Sequence, residues 1–447
     1  LRDVDYAMEA MDYLHDTQNG RAFIASVISS ESPFHEYFYS CSLSSPLSVF
    51  SPSSIHSWTT SSQFHLFSAY IDTRVNSLYP RNTAVQVLAI SSRLPNSTVY
   101  CNLHGTKSTV VEATVREIWQ RAWDPRGNFY VPLLITCPIP NWMEGQKLSV
   151  QVTTQFCTSQ EVALSVSVPP RRENKAKVAV CVKGLDFQED LSSNLIEWIE
   201  WQFLFGADTI TLYVYSVSPA TERVLRWYES QGRIELIWID LPGEDSPHIP
   251  ISRSLYMKRN RQQKRRHELI PYNDCLYRHL NSHEFVLIVD IDEIIVPLEH
   301  DNWVDLLNDA ESSAKDRVIS SISMRNVFKF PRNETRENSE ILPLYSNRIR
   351  SEKTSKRGDY GKSFSSTLTV ATVFNHFALH RLTHNVSHTL HLPEHSALKL
   401  HYKSSCPVES RAECPDLKRD TVVDDTLDRF ASKIEAKVRD ARSRIGL

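Results

Sequence analysis

The sequence predicts an α/β protein: a domain built on a mostly parallel sheet, preceded by a β-rich N-terminal domain. Three observations predict it. Residues 1–168 are rich in Ser, Thr and aromatics, with short alternating runs separated by turn signals. From residue 177 onward, apolar strands alternate with helices of 3.6-residue period. One of those strands, Phe285–Val289, stops at three carboxylates within four positions, Asp290, Asp292 and Glu293.

A length of 447 residues exceeds one ordinary core, which predicts two domains. Pro169 and Pro170, followed by Arg171, Arg172, Glu173 and Lys175, cannot join a buried sheet, so 169–176 reads as a linker. The domains are then 1–168 and 177–447. Hydrophobic content of 41% and aromatic content of 10% fit a globular chain. A formal net charge of -3 gives no general attraction to nucleic acid or to an anionic membrane. No run of about 18 apolar residues is present, so no segment reads as a membrane span. The chain starts at Leu1, and we expect a processed protein whose N-terminal signal or anchor has been removed.

Within the first domain, Gln63–Tyr70 and Asn128–Val131 alternate, and Val85–Ile90 and Leu133–Ile135 are further strands. Tyr79-Pro80-Arg81-Asn82 and Asp124-Pro125-Arg126-Gly127 are turns between them. Together they predict an antiparallel arrangement. Ser29–Ser62, rich in serine, reads as a loop.

The second domain opens with the apolar strand Val178–Val182. Asp190-Leu191-Ser192-Ser193 starts a helix with Leu195, Ile196, Ile199 and Phe203 on one face and Gly206 as its stop. Thr209–Tyr215 is a strand. Ser218-Pro219 caps the next helix, which ends near Gly232. Ile234–Ile239 is the third strand. A polar helix over Met257–Leu280, interrupted near Pro271, leads into the fourth, which carries the acids at its end. Val318–Met324, Thr367–Phe374 and Leu398–Tyr402 read as later strands, and Pro331–Lys362 as a long loop. Thr421–Ile445 reads as an amphipathic helix with Leu427, Phe430, Ile434 and Val438 on one face.

Ligands in open α/β sheets gather at the carboxyl ends of strands. Three acids there repel one another unless a cation lies among them, and hard divalent ions favour such oxygen ligands. A cation so held neutralises a diphosphate. Eight cysteines without any CxxC pair exclude zinc-ribbon and thioredoxin chemistry. Cys406 and Cys414 are close enough in sequence to pair, whereas Cys181 reads as a small buried hydrophobe. Sequons at Asn96, Asn333 and Asn385, with the cysteines, point to the secretory pathway. The basic run Lys258–His267 reads as a solvated helix face, and no interleaved aromatics support nucleic-acid binding.

Leu195-Ile196-Glu197-Trp198-Ile199-Glu200-Trp201, Asn273-Asp274-Cys275-Leu276-Tyr277-Arg278, Val289-Asp290-Ile291-Asp292-Glu293 and His401-Tyr402-Lys403 occur in this order. The set resembles glycosyltransferase family 92, over about residues 175–440; Phe67–Arg74 resembles the segment that animal members carry ahead of it. The resemblance implies a GT-A fold, a nucleotide-sugar donor and a divalent cation, usually Mn²⁺. It implies inverting transfer of galactose from UDP-galactose to a glycan, such as β1,4 transfer to core fucose of N-glycans. It also implies a type II Golgi membrane protein, of which this chain is the lumenal part. The family's polar residue after the second strand is replaced here by Ser216-Val217-Ser218.

On this resemblance Asp290, Asp292 and His401 are the expected metal ligands, with Asp290 also touching the donor ribose. His376 and His380 are weaker alternatives to His401. Val182, Lys183, Lys362 and Lys403 are candidate donor contacts, although lysines such as Lys362 and Lys403 are more often ordinary surface residues, and at Lys183 the backbone counts more than the charge. The catalytic base is open among Glu293, Glu334, Glu337 and Asp359. Two other readings stand beside this one. Asp-x-Asp after an apolar strand also occurs in haloacid-dehalogenase-type phosphatases, but Ile294 and the late position of the motif fit poorly. A glycan-binding protein without turnover is the other.

Overall fold

The structure, a computed structural model, describes residues 48–50, 55–56, 58–75, 83–122, 124–127, 129–157, 162–243, 250–315, 317–331, 340–386, 389–406 and 410–447. It is a mixed α/β protein organised around one large sheet.

That sheet contains β1 (Ile55–His56), β2 (Ala176–Phe187), β3 (Thr209–Val217), β4 (Ile234–Ile239) and β5 (His283–Ile288). It continues with β6 (Glu293–Pro297), β7 (Ser321–Lys329), β8 (Lys362–Ser366) and β9 (Ala397–Tyr402). The spatial order is β6-β9-β7-β8-β5-β2-β3-β4-β1. From β5 to β1 every pairing is parallel, while β8 runs antiparallel to β5 and β7. β2, β3 and β5 are largely buried on both faces, which is why they read as continuous apolar runs.

Helix α1 (Ser192–Phe205) follows β2, and α2 (Pro219–Ser230) follows β3. Ser218 accepts from Thr221 N at the start of α2, with Pro219 at the first helical position. Gly206 closes α1 at φ 111°, a conformation that requires glycine. Leu195, Ile196, Trp198, Ile199 and Trp201 of α1 pack on the sheet against Val180, Val182 and Leu212.

The predicted helix over 257–280 is three helices: α3 (Pro250–Arg259), α4 (Arg261–His267) and α5 (Leu269–Arg278). Pro271 does not interrupt α5, because it sits in the first turn, where a missing N–H costs no helical bond. The strand expected over Thr367–Phe374 divides after β8, where Thr367 turns inward and its Oγ1 donates to His283 O at 2.6 Å; a separate strand covers Val370–Val373. The predicted loop 331–362 contains the short helix α6 (Pro343–Ser346) and a strand, Ile349–Ser351. That strand pairs with Thr421–Val423, so the C-terminal helix begins later than expected, as α7 (Ala431–Ile445). Leu427, Phe430, Ile434 and Val438 are all buried against α1 and its neighbours.

Residues 48–165 form two five-stranded sheets. One contains Phe64–Asp72, Ala84–Ser91 and Val131–Pro138, paired antiparallel. The serine-rich segment is not simply loop: Ser48–Phe50 and Thr59–Ser61 join these two sheets and β1 extends the large sheet, while 29–47 lies outside the described residues. The two halves of the chain share a buried cluster. Phe67, Tyr70, Leu88, Trp119 and Leu134 pack with Tyr272, Leu276 and Tyr277 of α5. Tyr70 OH donates to Asp274 Oδ1 at 2.8 Å, and Arg74 Nη1 donates to Thr367 O and Val370 O at 2.6 and 2.7 Å.

Cys181 departs from the expectation of a lone hydrophobe. It is bonded to Cys275, tying β2 to α5, and Cys101–Cys137 and Cys406–Cys414 are also bridged.

Candidate active site

Beyond β5 the chain turns at once. Val289 N still donates to Cys181 O, then Glu293 N donates to Asp290 O at 3.0 Å and opens β6. Glu293 Oε2 accepts from Asp290 N at 3.0 Å, and Tyr402 N donates to Asp292 O at 2.8 Å. The register of β6 against β9 sets Glu293 opposite His401. Three acids and the late His-Tyr-Lys segment are thus brought together by strand pairing.

The acids divide into two levels. Glu293, 1% exposed, lies beneath the site. Its Oε1 accepts from Lys399 Nζ at 2.6 Å, and its Oε2 lies 3.2 Å from Lys362 Nζ. Both lysines are fully buried. Asp290 and Asp292 reach a cavity of about 870 Å³. Lys183 Nζ is 3.0 Å from Asp290 Oδ1, Lys362 Nζ is 3.6 Å from its Oδ2, and Lys403 Nζ donates to Asp292 Oδ2 at 2.5 Å.

Burial alone would raise all three acids, but their neighbours hold them below the ordinary carboxylate range: Asp290 well below through Lys183, Lys362 and Lys403, Asp292 through the His401 ring and then Lys403, and Glu293 through Lys362 and Lys399. Asp292 in turn holds the Lys403 ammonium above its usual value against the effect of burial. Burial lowers His401, with the Lys399 charge adding to it, so the imidazole is neutral at physiological pH.

Among the described residues no group of three or more His, Cys, Asp or Glu side chains is preset to hold a metal ion. The donor set nevertheless fits a hard divalent cation on one observation. Both ring nitrogens of buried His401 lack a hydrogen-bond partner, and Nε2 lies 3.7 Å from Asp292 Oδ2 and 3.6 Å from Glu293 Oε1. A buried imidazole without partners is costly unless something binds it.

Of the other expected residues, Val182, Lys183 and Lys403 line the cavity. Lys183 is more than backbone: its ammonium also lies 3.4 Å from Glu268. Lys362 is no surface lysine; it is buried below the cavity and donates to Asn375 Oδ1 at 2.6 Å. Glu293 is not among the residues that line this cavity, its oxygens being taken by lysines and Asp290 N. Asp359 is exposed on a turn away from the cavity, and Glu334 and Glu337 lie outside the described residues. His376 Nδ1 donates to Gly361 O at 2.7 Å, and His380 bonds Thr372 on a separate hairpin.

The basic run of α3 and α4 is only partly a solvated face. Lys258, Arg261 and Lys264 line the cavity, and Arg266 is buried over the Trp119 ring, 4.4 Å from its centroid. Sequence reasoning also missed Arg253, 2% exposed beneath the cavity, whose Nη2 donates to Asp186 Oδ1 at 3.0 Å; no spacing marks it.

An 870 Å³ cleft at the ends of parallel strands, with paired acids, four lysines and Arg261, has the chemistry of a site for a phosphate-bearing donor. The class is that of a glycosyltransferase. The family model for glycosyltransferase family 92 matches residues 176–438, and the chain belongs to that family.

A curated relative, the glycosyltransferase family 92 protein F13G3.3 of Caenorhabditis elegans, is 30% identical over 129 residues, which are 28% of this chain and 24% of the relative. The chain thus matches about a quarter of that relative's length. Solved structures are similar only distantly. Staphylococcus aureus TarS 1-349 in complex with UDP is 14% identical with a TM-score of 0.22, over 36% of this chain and 38% of that one. The mannosyltransferase PcManGT of Pyrobaculum calidifontis, in complex with GDP-Man and Mn²⁺, is 11% identical with a TM-score of 0.22, over 62% and 77%. Neither likeness is close enough to carry an argument.

Proposed function

We propose that the protein is a metal-dependent inverting galactosyltransferase of GT-A fold, transferring galactose from UDP-galactose to a glycan such as core fucose of N-glycans. The observation that carries the metal-and-diphosphate part is the pair Asp290 and Asp292 at the cavity, beside the unpartnered His401 and flanked by Lys183 and Lys403. Galactose and core fucose rest on the family resemblance alone.

Asp290, Asp292 and His401 would hold a divalent cation such as Mn²⁺, which when bound supplies positive charge against the departing diphosphate. Lys183 and Lys403 now neutralise the two aspartates. An arriving diphosphate gives these ammonium groups a second anionic partner and lowers the charge cost of a cation at the aspartates. The acceptor oxygen bonds to the anomeric carbon as that carbon's bond to the diphosphate oxygen breaks. The electron pair leaves with UDP and the hydroxyl proton passes to solvent. Glu293 fixes the turn that carries both aspartates.

Three disulfides between described residues and the exposed sequon residues Asn96 and Asn385 support a lumenal location, which we propose as the Golgi. No helix among the described residues is long and apolar enough to cross a membrane. Family membership leaves the phosphatase alternative without support.

The test is product analysis. UDP-galactose and a core-fucosylated N-glycan are incubated with the protein and Mn²⁺, and the glycan is examined by mass spectrometry. A gain of one hexose, abolished by EDTA and restored by Mn²⁺, is expected. Transfer that survives EDTA would exclude the metal-dependent reading; a hexose gained only from another UDP-sugar would replace galactose as the donor.

A further inference from the structure

A second cavity, of about 370 Å³, adjoins the first and shares four of its lining residues, Asn194, Leu344, Tyr402 and Lys403. It lies at one end of the larger cleft. The larger cleft extends along the sheet from Lys403, past Asp290 and Asp292, over β2 to Tyr215 of β3 and Met257 of α3. The smaller cavity lies on the opposite side of the acids, over the ends of β7 and β9 at Lys329 and Tyr402. The nucleoside is the bulkier half of the donor and needs the longer arm of the cleft, over β2 and β3. With the diphosphate at the acids, the transferred sugar then points toward Lys403 and the smaller cavity.

The lining of that cavity has a definite chemistry. Among the described residues no carboxylate contributes to it. Its two other cations are already engaged: Lys329 Nζ lies 2.6 Å from Asp424 Oδ2, and Arg348 pairs with Asp428. Asn194, Ser346 and Asn347 make no side-chain hydrogen bond within the described residues, and they stand beside apolar Leu344 and Ile349. Amides and a hydroxyl with spare capacity, set among aliphatic groups, suit the hydroxyls and C–H faces of an uncharged sugar.

The wall between the two cavities is fixed from behind. Glu197 of α1, fully buried, accepts from Leu344 N at 2.7 Å, Tyr345 N at 2.8 Å and Trp201 Nε1 at 3.0 Å. Both carboxylate oxygens are used, so the position of Leu344 depends on a group that touches neither cavity.

We propose that the smaller cavity is the acceptor subsite, taking an uncharged sugar whose attacking hydroxyl meets the donor between Leu344 and Lys403, with Glu197 as a positioning residue for its wall. The proposal rests on the transferase reading above and names the place and chemistry of its second substrate.

The test separates the two substrates. UDP binding is measured by calorimetry with Mn²⁺ and no acceptor. Acceptor KM and kcat are measured with a core-fucosylated N-glycan and with a β-1,4-galactan oligosaccharide, at saturating UDP-galactose. Ser346→Trp, which fills the cavity, Asn347→Ala and Glu197→Gln are compared with the parent protein. Acceptor KM is expected to rise at least tenfold in Ser346→Trp and Asn347→Ala, with UDP affinity held within threefold. Glu197→Gln is expected to raise acceptor KM more than it lowers kcat, because one amide N–H must face a backbone donor. Unchanged acceptor KM in both cavity variants would overturn the proposal, and so would a parallel loss of UDP affinity. Absence of UDP binding by the parent protein would instead defeat the transferase reading, and this inference with it.

Discussion

Single side chains explain most of what the site can do. Asp290 and Asp292 face the cavity with a cation each, while Glu293 is turned down onto two buried lysines. Three adjacent acids thus have two different tasks, decided by burial. The sequence made the acids legible, because they end an apolar strand and fall in order with the other family motifs. It did not make Lys362 and Lys399 legible, since a lysine that neutralises a buried acid looks like any lysine until the strands are paired. Glu197 is a further case. Burial raises its carboxyl from 4.5 to about 7, against the pull of the Leu344, Trp201 and Tyr345 N–H groups. An acid whose folded value is raised costs nothing below its unfolded value. Its cost grows as pH rises through 4.5, because the unfolded chain releases the proton first, and is complete above about 7. The full cost is about 3 kcal/mol. Urea unfolding at pH 4.5 and 7.5 should therefore show Glu197→Gln gaining about 3 kcal/mol on the parent protein between the two. A difference independent of pH would show that the carboxyl is not raised.

Pairing of elements is what assembles the site. β6 and β9 run antiparallel with Glu293 opposite His401, and β7 lies alongside with Phe328 opposite His401. A one-residue slip between β6 and β9 would send Lys399 and His401 to the other face. Glu293 and Lys399 hold that register with one buried ion pair. Glu293→Gln leaves a fully buried lysine without its charge partner, and should destabilise the fold by about 3–5 kcal/mol, read as a shift in urea midpoint. A loss under about 1 kcal/mol would mean that Lys399 is already neutral or finds water. The strands β2 to β5 were legible as apolar runs, and α1 and α2 as periodic segments with caps. The division of 257–280 into three helices was not, because proline in a first turn leaves no interruption and no other breaker marks the joints. Cys181 also escaped notice, since an apolar strand around a cysteine does not reveal a partner 94 residues away.

The whole molecule is less divided than its sequence. A proline pair and charges at 169–175 read as a linker, yet residues on either side share one buried cluster, with Tyr70 and Tyr213 both bonded to Asp274. We predict that residues 48–165 and 176–447 unfold together. Calorimetry should give one transition, and Tyr70→Phe should lower it by the equivalent of about 1–3 kcal/mol without splitting it. Two separated transitions would contradict a shared core. At this scale the sequence carried the order of the elements and the resemblance, but not the contacts between halves, which join residues 204 apart in the case of Tyr70 and Asp274. At the centre stands the proposal that Asp290 and Asp292 hold a divalent cation against the donor diphosphate. Its most direct measurement is UDP release from a panel of UDP-sugars, with and without Mn²⁺, by the parent protein and by Asp292→Asn. Release from one sugar is expected to require Mn²⁺ and to fall by about 10²–10³ in the variant. Release that is indifferent to Mn²⁺, or equal in Asp292→Asn, would contradict it.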